Sequence, residues 1–250
     1  MRKYLLLSLF LFFVTSCTTS YSGYKTSSRN IQVEKTVADE DSEIMNLLKP
    51  YKQKLETDMS RVLAVSDVEM IKDKPESNMT NFMADMLLET GKNFCRKNHL
   101  GLPDVSYVNY GGIRSAWPKG EINVRNVFEL MPFENTMVFL KISGEKFREM
   151  AEIIAQRGGD GVAGMKLGIK DQKVSDLLIN GNKFDPGKSY WIVTNDYIAG
   201  GGDKMDMFLN PESMVQSGVT IRDLIISYLE EKTKNGQHIS AQKDGRIYYE

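Results

Sequence analysis

Two glycine-rich segments, Asn109-Tyr110-Gly111-Gly112-Ile113-Arg114 and Asn195-Asp196-Tyr197-Ile198-Ala199-Gly200-Gly201-Gly202-Asp203, each follow an apolar run with the look of a strand. Where a strand empties into glycines, an amide and a charge, backbone N–H groups stand open to a small polar ligand. Two such loops predict a binding cleft at the ends of strands.

The chain has 250 residues, with 32 Lys and Arg against 33 Asp and Glu. That length buries one sizeable core as a single domain. Near-balanced charge without a Lys/Arg block speaks against nucleic acid as a partner, because phosphate neutralisation dominates that affinity.

The N-terminus carries an address. Arg2 and Lys3 precede the apolar run Leu5 to Val14, which is too short to cross about 30 Å of hydrocarbon and reads as a signal segment over residues 1–16. Val14-Thr15-Ser16-Cys17 resembles the bacterial lipobox, which implies cleavage before Cys17 and lipidation of its thiol. The expected location is the bacterial cell envelope, membrane-anchored through that lipid and facing the periplasm. Cys95 is then the remaining thiol, so no intramolecular disulfide is expected, and its helical spacing with Phe82, Leu87 and Leu88 reads as core.

Residues 17–40, rich in Ser, Thr and Tyr, read as a tether. Ile44, Leu47, Leu48, Tyr51 and Leu55 then recur at helical spacing, predicting a linker-type amphipathic helix over residues 41–60. Pro50 inside it costs about 3 kcal/mol and predicts a kink or two short helices. Further on, strands are expected at Val62–Val68, Asp104–Asn109, Thr136–Ile142, Tyr190–Thr194 and Arg246–Tyr249. Helices are expected after the caps Asn78, Asn123, Ser143 and Thr220, with a hairpin at Asn180-Gly181-Asn182. The irregular alternation indicates an α+β domain over residues 61–250, with mixed β-sheets layered with helices.

Four motifs in order, Glu76-Ser77-Asn78-Met79-Thr80-Asn81, the Asn109 loop, Pro132-Phe133-Glu134-Asn135 and the Asn195 loop, resemble the C-terminal, substrate-binding domain of the 5'-nucleotidases, whose patterns read ES-N-LGN, NGGGIR, PF-x-N and F-x-A-x-GGD. The resemblance covers about residues 62 to 215. It implies that domain's fold and a site for a nucleotide or nucleoside. In that site Phe133 and Tyr197 would sandwich the base, Asn109 would reach base or sugar, Asn135 would bind the base, and Asp203 would take the ribose hydroxyls. Gly111, Gly112, Gly201 and Gly202 would open the backbone, and Arg114 would face phosphate. The residues alone leave alternatives open: a surface ion pair for Arg114, core for Phe133, turn-capping for Asn135 and Asp203. Two positions depart from the pattern. Pro75 stands where an arginine is common, with Lys72 and Lys74 nearby, and Tyr110 fills the first glycine of NGGGIR, either adding a stacking surface or obstructing the phosphate.

Hydrolysis in this family depends on a pair of metal ions held by clustered Asp, His and Asn. This chain has two histidines, His99 and His238, and neither lies in a DxH, GNH or HxH setting. The expectation is therefore a chain with no catalytic or metal-binding residues and no cofactor of its own, inactive alone. It would be the substrate-recognition half of a split 5'-nucleotidase whose divalent metals come from a separately encoded metallophosphatase. The alternative is a stand-alone envelope lipoprotein that binds nucleosides or nucleotides without catalysis.

Overall fold

The computed structural model describes residues 26–30 and 42–250. The signal segment, Cys17 and most of the tether lie outside the described residues. Lys49–Glu250 form one compact unit.

Helix α1 spans Ser42–Ser60 as one element with Pro50 inside, so of the kink or pair of short helices expected there, the pair does not form. One proline removes one backbone donor, and the remaining turns continue on either side. None of its residues is buried. Strand β1 (Val62–Ser66) ends earlier than Val68 because Ser66 Oγ donates to Val68 O at 2.7 Å and bends the chain. Helix α2 (Asn78–Lys97) is capped by Ser77 rather than by Asn78. Ser77 and Thr80 exchange side-chain and backbone bonds as a capping box. Asn78 instead reaches back, donating to Glu69 O at 2.8 Å and accepting from the Ile71 amide.

The chain continues through β2 (Val105–Val108), β3 (Gly120–Asn123), α3 (Val124–Leu130), β4 (Thr136–Ser143), α4 (Gly144–Gln156), β5 (Gly161–Ala163), β6 (Met165–Lys170), β7 (Lys173–Ile179) and β8 (Asn182–Lys183). It closes with β9 (Ser189–Asn195), the single-turn α5 (Asp196–Ala199), β10 (Ser213–Thr220), α6 (Ile221–Lys234) and β11 (Ile247–Tyr249). Asn123, Ser143 and Thr220 cap α3, α4 and α6 as their sequence positions suggest. Asn180 and Gly181, at φ 48° and 78°, make the β7–β8 hairpin turn.

Among the described residues three sheets form: β1-β3, a central five-stranded sheet in the order β10-β4-β9-β2-β5, and a four-stranded sheet in the order β11-β6-β7-β8. The inner strands of the central sheet, β4, β9 and β2, are buried on both faces. Met137 and Phe139 of β4 point into one core with α2 and α6, while Val138, Leu140 and Ile142 point into another with α4, β6 and β7. This explains why the segment Thr136–Ile142 reads as a continuous apolar run rather than an alternation. Cys95 is buried in the first core, and burial pushes its thiol pKa up.

Between β5 and β6 the chain leaves one sheet for the other at Gly164, at φ 78°, where a Cβ would stand 2.2 Å from Asp104 O. No other residue fits there. The topology also fixes where ligand loops gather. β2 and β9 are parallel neighbours, so both empty at the same edge; β4 is antiparallel to β9, with Met137 opposite Asn195, so it starts there. The Asn109 loop, the Pro132–Asn135 loop and the Asn195 loop therefore meet at one end of the central sheet.

Candidate functional site

The three loops enclose a cleft of about 340 Å³. Asn109, Gly111, Gly112, Arg114, Phe133, Asn135, Tyr197 and Asp203 all line it, together with Met131 and Asn195, which sequence reasoning did not single out. Phe133 is 41% exposed and Tyr197 50%, so neither ring has a home in the core. Both rings are thus open to whatever enters the cleft.

Gly201 and Gly202, expected at the ligand, do not line the cleft. Gly201 at φ 84° turns the chain out of α5. A Cβ on Gly202 would lie 2.6 Å from the Tyr197 ring, so this glycine lets the loop fold against the tyrosine. Both act through backbone shape.

The polar side chains are interlocked. Asn109, almost fully buried, donates to Asp203 Oδ2 at 2.7 Å and accepts from Asn195 Nδ2 at 3.4 Å. Tyr197 Oη donates to Asp203 Oδ1 at 3.0 Å and accepts from the Asp203 amide. Each Asp203 oxygen thus holds one internal donor and keeps lone-pair capacity for another. Asn195 caps α5 through the Ile198 amide, which sets the direction of its side chain.

The second and third loops are joined by Asp196. Its Oδ1 accepts from Asn135 Nδ2 at 2.8 Å and from the Tyr197 amide at 2.8 Å, and its Oδ2 accepts from Thr136 Oγ1 at 2.9 Å. Burial works to raise its pKa, but the bonds from Asn135 and Thr136 outweigh burial and hold it below the ordinary value. One carboxylate thereby ties Asn135 of the second loop to the backbone of Tyr197 in the third.

At the other end, Arg114 is exposed and donates to Gly111 O at 3.2 Å. Tyr110 neither lines the cleft nor blocks it: its ring lies under the ammonium groups of Lys72, 4.2 Å from the centroid, and Lys74, 4.9 Å away. Lys72 also donates to the carbonyls of Tyr110 and Ile113. Burial and the neighbouring charges of Arg114 and Lys74 lower its pKa, the mark of crowded cations beside this wall. Among the described residues no group of three His, Cys, Asp or Glu stands close enough to hold a metal ion, and the cleft's donor set does not fit one.

Fold and cleft define an α+β domain with a cleft made by three loops at one edge of a mixed sheet. Residues 61–210 match the family described as 5'-nucleotidase, C-terminal domain, and the chain belongs to that family. It is similar to the protein UshA of Escherichia coli K12, 25% identical over 205 residues that cover 78% of this chain and 35% of UshA. The 5'-nucleotidase of Vibrio cholerae is 22% identical over 201 residues, 76% of this chain and 34% of that protein. The chain thus spans about a third of the length of these curated relatives. Among solved structures, a 5'-nucleotidase precursor from Thermus thermophilus superposes with a TM-score of 0.70 at 25% identity, covering 86% of this chain and 44% of that one.

Proposed function

We propose that the cleft holds a nucleoside or nucleotide, with its base between Phe133 and Tyr197, its ribose hydroxyls on Asp203 and its phosphate toward Arg114. The observation that carries this reading is the pair of half-exposed aromatics on opposing loops of one small cleft, beside an amide and a carboxylate. Aromatic stacking contributes about 1 to 3 kcal/mol per ring and tolerates different bases. Arg114, a permanently charged fork, suits a phosphate, and the nearby Lys72 and Lys74 add positive potential.

In this reading the chain is the recognition half of a 5'-nucleotidase. A metallophosphatase partner supplies the divalent metals, whose chemistry is activation of water and neutralisation of the leaving charge. Support for a partner comes from α1, where Leu47, Leu48, Tyr51 and Leu55 expose an apolar stripe. Lipidation at Cys17 would hold the domain at the envelope membrane.

Calorimetry with adenosine and AMP tests the cleft. Adenosine is expected to bind, and Phe133→Ala and Tyr197→Ala are each expected to weaken it roughly five- to hundredfold, the equivalent of the stacking energy above. AMP is expected to bind more tightly than adenosine, with the difference lost in Arg114→Ala. An absence of heat with both ligands overturns the reading. Gentle extraction from the native membrane tests the partner: recovery of this protein with no metallophosphatase counts against it.

A further inference from the structure

A third glycine turn, Arg157-Gly158-Gly159-Asp160, lies outside the cleft and belongs to none of its three loops. We propose that it is a keystone that couples the Asn109 loop to the Asp203 loop, with Arg157 and Asp160 as positioning residues for the ligand cleft. Helix α4 ends at Gln156, and the chain turns through Gly158 at φ 75° and Gly159 at φ 115°. A Cβ on Gly159 would stand 2.1 Å from Pro75 O, so the turn is pressed against the segment that carries Lys74. Lys74 Nζ donates to Arg157 O and secures the turn from that side.

The bonds form a circuit. Asp160, 3% exposed, accepts the Tyr110 amide on Oδ1 at 2.8 Å and the Tyr107 hydroxyl on Oδ2 at 3.1 Å. Arg157 Nη1 donates to Tyr107 Oη at 3.2 Å and pairs with Asp160 Oδ2 at 3.5 Å, while its Nη2 donates to the carbonyl of Asp203. Asp203 then returns to the first loop by accepting from Asn109, the residue next to Tyr110. Asp203 and Lys204 sit at φ 52° and 58°, a left-handed backbone that non-glycine residues hold only when neighbours impose it. The Arg157 fork is what grips that carbonyl. A lysine lacks the rigid planar fork whose two nitrogens face Asp160 and Asp203 separately here.

Amide hydrogen exchange on the ligand-free full chain tests the coupling without relying on the nucleotide reading. Asp160→Asn keeps an acceptor for Tyr110 but removes the charge that anchors Arg157. It is expected to speed exchange about tenfold or more in residues 201–205 as well as at Tyr110, with β4 amides unchanged. Arg157→Lys is expected to loosen both loops likewise. Should each substitution act only on the loop it touches, Asp160→Asn at Tyr110 and Arg157→Lys at residues 201–205, the coupling is overturned. A second arm measures adenosine affinity for Arg157→Lys, Asp203→Asn and the double variant. Non-additivity of about fivefold or more is expected, and additive losses count against the proposal. If the unaltered protein binds neither adenosine nor AMP, the ligand reading fails and the exchange result alone decides the coupling.

Discussion

A methyl group built on Gly112 would stand 2.8 Å from Asn109 Oδ1, whereas one on Gly111 would meet nothing nearer than 3.9 Å. Asn109 is buried and bonded on both its polar atoms, so it has little room to yield. Gly112→Ala is therefore expected to cost about 1 to 3 kcal/mol, a fall of roughly 2 to 4 °C in Tm per kcal/mol. Gly111→Ala should leave Tm within about a degree, and thermal melts distinguish the two. Asp196 gives a pH-dependent counterpart. Its folded pKa is depressed, so its contribution is fully present above the unfolded value of about 3.9 and is lost as pH falls through the folded value. Urea titrations of wild type and Asp196→Ala are expected to differ by about 1.5 to 3 kcal/mol at pH 7, the worth of bonds to a charged group, with the gap closing below about pH 4. The lining residues Asn109, Arg114, Phe133 and Tyr197 were legible because glycine and proline motifs flag their loops. Asp160 and Arg157 were not, since a buried carboxylate paired with a half-buried arginine after a helix looks in sequence like any solvated charge. Gly201 and Gly202 looked like ligand contacts because a glycine that serves backbone shape cannot be told from one that clears space for a ligand.

The cap of α2 shows how far local chemistry decides an element. Ser77 is fully buried and satisfies the Thr80 amide, while Thr80 Oγ1 satisfies the Ser77 amide. Ser77→Ala leaves a buried donor without its partner and is expected to cost about 1 to 2 kcal/mol, read as a lower urea midpoint with unchanged slope. Asn78, as good a cap by type, is passed over because its side-chain amide serves Glu69 and Ile71 instead, and that tertiary demand has no local signature. The same contrast separates the strands. The runs that became β4 and β9 were legible because a strand buried on both faces is apolar throughout. β10 was not: it is an edge strand of Ser, Gln and Gly, with a register shift between Gln216 and Thr220. β5 and β6 were masked by glycines at 161, 164 and 168, of which Gly164 is required by the crossing between sheets.

At the level of the whole molecule, the order β4-β9-β2 brings three sequence-distant loops to one edge, and no pairwise reading of the motifs contains that fact. The resulting cleft offers aromatic faces, amides and one charge of each sign, Arg114 and Asp203. Phosphoryl transfer needs an oriented nucleophile and cations that neutralise developing charge on the phosphoryl oxygens. A base must also lie within about 2.6 to 3.2 Å of the proton it takes. Among the described residues the single carboxylate lining the cleft, Asp203, is held by Asn109 and Tyr197 as an acceptor with lone pairs left for a hydroxyl, and the single lining cation, Arg114, supplies one fork, which falls short of that set. The chain alone is accordingly expected to bind AMP and release no phosphate from it with Mg²⁺, Mn²⁺, Co²⁺ or Zn²⁺, under conditions where calorimetry shows the site filled. Robust turnover by the purified chain overturns this. When a metallophosphatase partner is added, phosphate release should appear, and Phe133→Ala and Tyr197→Ala should raise KM while leaving kcat within a few-fold. Uniform loss of binding without loss of transition-state contacts has that signature. A fall in kcat with KM unchanged would instead place the two aromatics in the chemical step, which a pure recognition domain does not allow.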